Sequence, residues 1–438
     1  MFIELNQTLS ELYDGLIEGT EPDQKAADEV IAYLKTRKNI IYGAGRAGKM
    51  LYGAFQELGI PIERFIDRFH DQIGSVNGVP VDAPASLTAR PPQADELLII
   101  AAGTMQLAEL IDDDIVKLGC THPKANGLFL VYLLKYLVCK AHHAAGTPPE
   151  LLECTSYHVK PYKCPIFCKK VEEMAYRDNP YQEVAGSSFN EFGYLLSEVC
   201  SLKCKHCLEA VPYLKNRETL PKDTILNDIK KMVQACRFIH RLDLVGGEPF
   251  LHRELADLVR DILRIERIGY IGVFTNGTVV PSDELCQVLK NDRIIVTVAN
   301  YGESLSDQFR AKIAQTLKKL AEYGVQHFNY SDRYWFDINS FDLHQADDGR
   351  LEANYSNCFL AACRRMYNGT LYHCPYQCNG VKLGKFEKVE GQYVDIHRLS
   401  VADLARELDK FEKVEFIDAC RYCSIPGGAK EVTAGEQL

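Results

Sequence analysis

Between Phe189 and Tyr330 the chain repeats one unit: a short apolar stretch, a turn rich in glycine, asparagine or cysteine, and then a helical stretch. The apolar stretches are "EFGYLLSE", "FIHRLDLVGGEPF", "YIGVFTNGT", "RIIVTVANYG" and "VQHFNYSD", with the amphipathic "SDQFRAKIAQTLKKLAEYG" between the last two. Alternation of strand and helix at this spacing restricts the fold to α/β, with parallel strands joined by crossover helices. The sheet is then open or rolled into a partial barrel, and the turns collect functional groups at the C-terminal ends of the strands.

The first 143 residues show a second βαβ pattern. "KNIIYGAGRAGKMLYGAFQELG" runs a strand into Gly43-x-Gly45-x-x-Gly48 and on into a helix. A second strand, "IERFID", ends at Asp67, nineteen residues after Gly48, and "ELLIIAAG" forms a later strand. Glycines there permit a tight turn and let a phosphate approach the helix N-terminus, and the acid caps the neighbouring strand. The expectation is a Rossmann-like domain over residues 1–143, similar to the "YGAG–FID" nucleotide-fold modules attached to sugar-modifying enzymes. Gly43, Gly45, Gly48 and Asp67 would hold a nucleotide, unless the module serves only for docking. Residues 144–188, rich in proline, glycine and polar clusters, are expected to be a linker or wrapping segment.

A chain of 438 residues implies two or three domains. Its net charge of −10 disfavours nucleic acid or an anionic membrane as the main partner. The longest apolar stretch, Gly127–Ala141, is too short to span a bilayer and carries Lys135, so it reads as a buried helix. The N-terminal stretch lacks the pattern of a signal peptide, which points to the cytoplasm.

Sixteen cysteines are many for a chain in a reducing compartment, where metal or redox chemistry is the better explanation than disulfides. Cys120, Cys139, Cys236 and Cys286 stand alone in apolar or helical context and read as small buried hydrophobes. The others cluster. Cys200-x3-Cys204-x2-Cys207 gathers three thiols in eight residues with no fourth nearby. Three thiolates can hold three irons of a [4Fe–4S] cube and leave the fourth iron open. The competing explanation, a zinc site, pairs two cysteines with a second pair elsewhere, which this spacing does not match.

This loop, with His206 before its last cysteine, resembles the signature of the radical S-adenosylmethionine (SAM) superfamily. Two further motifs follow on successive strand ends. Gly246-Gly247-Glu248-Pro249 resembles the turn that receives the methionine amino group, and Thr275-Asn276 lies where the family places residues near ribose and carboxylate. Asn300 ends the next strand. The resemblance implies a partial (β/α)6 TIM-type barrel over residues 189–340. It also implies a SAM-binding [4Fe–4S] cluster, a one-electron donor such as flavodoxin or ferredoxin, and hydrogen abstraction by a 5′-deoxyadenosyl radical.

The C-terminal cysteines form another group: Cys358, ten residues, Gly369, four residues, Cys374, and later Cys420-x2-Cys423. This resembles the twitch, or short SPASM-like, extension that carries one auxiliary [4Fe–4S] cluster, here expected over residues 341–438. The ligands would be Cys374, Cys420, Cys423 and either Cys358 or Cys363, with a zinc ribbon as the alternative. Cys154, Cys164 and Cys168 read as packed thiols or ligands of a further cluster, and Cys378 is unassigned. A polar small-molecule substrate is expected, such as a sugar, aminocyclitol or nucleotide-linked sugar, with oxidation or epimerisation as the outcome. A thiol in the lumen that is not a cluster ligand would favour epimerisation. The alternatives are a peptide maturase forming thioether or carbon–carbon crosslinks, and a non-catalytic redox sensor. Tyr301, Asp332 and Trp335 lie near the expected substrate end.

Overall fold

A computed structural model describes residues 2–17, 20–102, 105–145, 189–330, 334–338, 340–343, 348–356, 358–424 and 429–438. The chain divides into two compact units, residues 1–170 and 171–438. Cys154, Cys164, Cys168 and Asp332 lie outside the described residues.

The first unit is built on a six-stranded sheet. Its strands are β1 (Lys38–Tyr42), β2 (Ile62–Ile66), β3 (Ser75–Val76), β4 (Val79–Asp82), β5 (Glu96–Ile100) and β6 (Lys124–Asn126). They lie in the order β3-β4-β2-β1-β5-β6, parallel except for the β3–β4 pair. The order of the parallel strands reverses between β1 and β5, the arrangement of a Rossmann-type sheet. Ile40, Ile41, Phe65, Leu98 and Ile99 are fully buried, as near-continuous apolar strands covered on both faces should be. The long apolar stretch is the helix Gly127–Ala144, buried along most of its length. Among the described residues no helix is long and apolar enough to cross a membrane.

The second unit carries the repeated βα pattern. Strands β7 (Phe189–Leu195), β8 (Ile239–Val245), β9 (Ile268–Thr275), β10 (Ile294–Ala299) and β11 (His327–Tyr330) pair in sequence order, all parallel. Helices Lys222–Ala235, Leu255–Leu263, Asp283–Leu289 and Asp307–Glu322 follow the first four strands. Their apolar residues, among them Ile229, Leu258, Leu285 and Ile313, share one core with Phe192, Leu242, Leu244 and Val296 of the strands.

The rest of the unit joins this sheet. A short strand β12 (Tyr334–Phe336) leaves it, and β13 (Arg365–Tyr367) returns to pair in parallel with the free side of β7. Strands β14 (Thr370–Tyr372) and β15 (Tyr393–Asp395) continue antiparallel, giving the order β11-β10-β9-β8-β7-β13-β14-β15. Six mutually parallel strands thus form a partial, unclosed barrel. The sixth comes from the cysteine-rich region beyond residue 341. A last strand, β16 (Glu431–Thr433), pairs antiparallel with β12. Cys120, Cys139, Cys236 and Cys286 are all buried.

Candidate active site

The three-cysteine loop follows directly on the end of β7, and the glycine turn after β8 is laced to it. The Gly247 N–H donates to the Ser197 carbonyl at 2.7 Å and the Glu248 N–H to the Val199 carbonyl at 2.9 Å. At Gly247 a Cβ would overlap the Val199 carbonyl and meet the Cys200 Cβ at 3.0 Å. Only a glycine lets the two turns approach this closely. Pro249 is buried and opens a single 3-10 turn, Pro249–Leu251.

Glu248 is fully buried, and its carboxylate binds the next strand end. One oxygen accepts from the Thr275 hydroxyl at 2.7 Å and the Phe250 N–H at 3.0 Å, and the other accepts from the Asn276 N–H at 2.8 Å. Burial outweighs these three donors and pushes the carboxyl up to about 7. Asn276 closes the circuit by donating to Ser201 Oγ at 3.2 Å and to Cys200 Sγ at 3.5 Å. Its carbonyl accepts from Thr278, whose hydroxyl lies 2.6 Å from that of Ser201. The sequence-predicted residues Gly246, Gly247, Glu248, Thr275 and Asn276 therefore meet around Cys200. Asn300 follows β10 directly, and its side-chain oxygen accepts the Gly302 N–H at 3.0 Å in a local turn.

The three thiols are near neighbours. Burial drives Cys200 up to about 11 and Cys207 up to about 12; Glu248 and Cys204 raise the first further, and Cys204, Glu209 and Cys200 the second. Cys204 is raised mainly by burial. Such thiols hold their protons until a metal replaces them. The donor set and the glycine-lined approach beside it fit an iron–sulfur cluster with a ligand bound at its open side. Among the described residues no three His, Cys, Asp or Glu side chains converge to hold a single metal ion. The ring nitrogens of His206 lie 3.2 Å from Asp337 Oδ1 and 3.8 Å from Glu436 Oε2.

Sequence reasoning passed over a set of charges on the inner face of the sheet. Arg241 Nε lies 2.7 Å from Asp243 Oδ1, and Arg241 Nη1 lies 3.8 Å from Glu191 of the neighbouring strand. Its guanidinium sits 5.5 Å from the Tyr270 ring centre and 5.6 Å from that of Phe274. Arg365 of β13 pairs with Glu209 at 2.5 Å, both buried. Arg365 Nε and Glu209 Oε2 have no hydrogen-bond partner among the described residues. Lys382 pairs with Glu198 and lies 4.2 Å over the Tyr367 ring. The signal was present: in "IHRLDLV" Arg241 and Asp243 alternate with Leu242 and Leu244, and in "FNEFGYL" Glu191 precedes Phe192, which marks one polar strand face.

Of the C-terminal cysteines, Cys374 caps the helix Pro375–Lys382, its sulfur accepting the Gln377 N–H at 3.4 Å. Its thiol is pushed far up by burial and then by Cys420, Cys358 and Cys423. All four belong to one apolar cluster with Ile338, Phe341, Tyr376 and Ile417. Cys363 lies elsewhere. Burial pushes its thiol up to about 12, and the charges that reach it are those of Glu191, Arg365, Arg241 and Asp243. The residue nevertheless keeps contact with solvent, which fits a sulfur on the wall of the lumen. Cys378 is fully buried near Lys382, Glu209 and Arg365.

In the first unit the Gly43 N–H donates to the Ile66 carbonyl at 2.7 Å, and Gly45 caps the helix Arg46–Leu58 with open space beside it. A Cβ at Gly48 would overlap the Gly43 carbonyl. Asp67 Oδ2 accepts the Ala44 N–H at 2.8 Å and Oδ1 the Phe69 N–H at 2.9 Å. The glycine turn and the acid therefore meet, with the carboxylate engaged by its own loop backbones.

The parallel strands carry cysteine, glycine and asparagine turns on successive C-terminal ends, and residues 194–334 match the family model described as Radical SAM superfamily. The cofactors of that superfamily are a [4Fe–4S] cluster and SAM. Among curated proteins the chain is similar to the GTP 3',8-cyclase of Limosilactobacillus fermentum, 26% identical over 140 residues, covering 30% of this chain and 41% of that protein. It is also similar to molybdenum cofactor biosynthesis protein 1 of Homo sapiens, 33% identical over 104 residues, covering 22% and 16%. The matched stretch thus spans about two-fifths or less of these relatives' lengths. Among solved structures it resembles BtrN in complex with AdoMet and 2-DOIA, with 15% identity and a TM-score of 0.36, covering 55% of this chain and 94% of that one. It resembles Streptococcus suis SuiB bound to precursor peptide SuiA with 11% identity and a TM-score of 0.33, covering 69% and 87%.

Proposed function

We propose that the chain is a radical SAM enzyme acting on a polar small molecule, a sugar, aminocyclitol or nucleotide-linked sugar, which it oxidises or epimerises. With a [4Fe–4S] cluster, SAM and one electron from a flavodoxin- or ferredoxin-type donor, the chemistry supplied is reductive SAM cleavage and hydrogen-atom abstraction from carbon. Cys200, Cys204 and Cys207 are the cluster ligands in this reading. The carbonyl-rich Gly246–Gly247 turn takes the ammonium group of SAM, and Glu248 holds that turn against Thr275 and Asn276 while adding negative charge behind it. Cys358, Cys374, Cys420 and Cys423 hold the auxiliary cluster.

The observation that carries this reading is the continuous hydrogen-bonded circuit from Glu248 through Asn276 to Cys200, which ties three separate turns into one site. The substrate class draws support from the lumen. Glu191, Arg241, Asp243, Glu209 and Arg365 present both signs of charge, suited to hydroxyl and amino groups. Gly43, Gly45, Gly48 and Asp67 of the first unit are proposed to recruit the nucleotide part of an activated substrate.

The test is anaerobic reconstitution with iron and sulfide, then SAM and dithionite. The wild type should form 5′-deoxyadenosine, and Cys204→Ala should not. Absence of product from the wild type, or zinc in place of iron, refutes the assignment. Candidate sugars deuterated at carbon then identify the substrate through label in the 5′-deoxyadenosine.

A further inference from the structure

The segment after β16 does not run free; it returns to the three-cysteine loop. Gly435, at φ +71°, turns the chain so tightly over Tyr301 that a Cβ would stand 2.5 Å from the Tyr301 Cβ. Gln437 then forms an antiparallel bridge with Cys204. The Lys205 N–H donates to the Glu436 carbonyl at 2.7 Å and the Leu438 N–H to the Lys203 carbonyl at 2.9 Å. Outside this ladder, Lys205 Nζ lies 3.2 Å from Glu436 Oε1.

The Gln437 side chain is fixed in one orientation. Its Oε1 accepts the Lys203 N–H at 2.8 Å, which forces the NH2 group to the other side. That group donates to the Gly435 carbonyl at 2.6 Å and to Cys204 Sγ at 3.2 Å. The two donors to Cys200 Sγ stand farther off, at 3.4 and 3.5 Å.

We propose that residues 436–438 clip onto the three-cysteine loop and that the Gln437 amide, by donating to the Cys204 sulfur, raises the reduction potential of the cluster held there. Gln437 acts through a ligand and is thus a positioning residue, and the inference rests on the cluster assignment proposed above. Adding an electron to an iron–sulfur cluster makes its sulfurs more negative. A donor aimed at one sulfur therefore stabilises the reduced form more than the oxidised form. A hydrogen bond to a charged acceptor is strong enough to change the reduced-to-oxidised ratio about tenfold at fixed potential, which is 59 mV for one electron.

The experiment uses the full chain and Gln437→Met, which keeps length and removes the donor. Both are reconstituted anaerobically and titrated redox-wise, following by electron paramagnetic resonance the signal that changes when SAM is added. The expected result is a midpoint about 59 mV lower in the variant, with equal iron content. An unchanged midpoint with the signal present overturns this inference and leaves the cluster assignment standing. No SAM-responsive signal in the wild type overturns both. A second measurement needs no cluster: in the metal-free chain the Gln437 amide favours the Cys204 thiolate, so Cys204 should be alkylated by iodoacetamide several-fold more slowly in Gln437→Met than in the wild type. Equal or faster alkylation in the variant refutes the donor role of Gln437.

Discussion

Glu248 gives the sharpest quantitative test of the site. It is wholly buried, it accepts three hydrogen bonds, and burial still raises its carboxyl from an ordinary 4.5 to about 7. The folded chain therefore binds this proton more tightly than the unfolded chain does. Its stabilising contribution is complete below pH 4.5 and is lost as the pH rises through about 7. The gap corresponds to roughly 3 kcal/mol.

Glu248→Gln is nearly isosteric with the protonated acid and does not titrate. The stability difference, variant minus wild type, should grow by about 3 kcal/mol between pH 4.5 and pH 8. Other titrating groups cancel in that difference. Trp335 is the sole tryptophan and packs edge-on against Tyr301 at 4.9 Å, so its fluorescence reports urea unfolding of the second unit. Two curves that run parallel in pH refute the reasoning. A second consequence concerns the ligand: at pH 8 the variant lacks the negative charge behind the glycine turn, so SAM binding should weaken, measured by equilibrium dialysis with labelled SAM.

Three further outcomes follow from other parts of the chain. Cys358→Ser should remove one cluster's iron, about four atoms per chain, whereas Cys363→Ser should leave iron content unchanged by colorimetric assay. Arg365→Met strands Glu209 in the lumen and should destabilise the second unit by about 3–5 kcal/mol, with Arg365→Met/Glu209→Leu recovering most of the loss in urea titrations. Gly48→Ala forces a methyl group into the Gly43 carbonyl and should lower the stability of the first unit by roughly 1–3 kcal/mol, read as a lower Tm by calorimetry.

What the sequence made legible was local. Cys200 to Cys207, Gly246 to Pro249 and Thr275–Asn276 stand out because a few adjacent residues carry both the turn and the chemistry. The βα period placed them on successive strands, and it likewise placed Gly43, Gly48 and Asp67. Contacts closed over long separations stayed hidden. Gln437 lies 233 residues from the sulfur it touches and Asp337 lies 131 residues from His206. Neither residue type marks a motif. Strand β13 was missed for another reason: three residues between Cys363 and a turn carry too little periodicity to read as a parallel strand. Ser201 and Thr278 flank recognised motifs, yet short hydroxyl residues in turns are too common to single out.

The seat of β13 against β7 has a consequence for anyone hoping to exchange parts of this chain. The C-terminal cysteine segment is not an appendage on a finished barrel, because it supplies one of the parallel strands and the arginine that faces Glu209. Excising it would expose the bare edge of β7, an invitation to intermolecular pairing. Grafting a foreign segment would have to match backbone register before its thiols mattered. The two cysteine groups therefore hang on one ladder, the first just beyond β7 and the second on either side of β13.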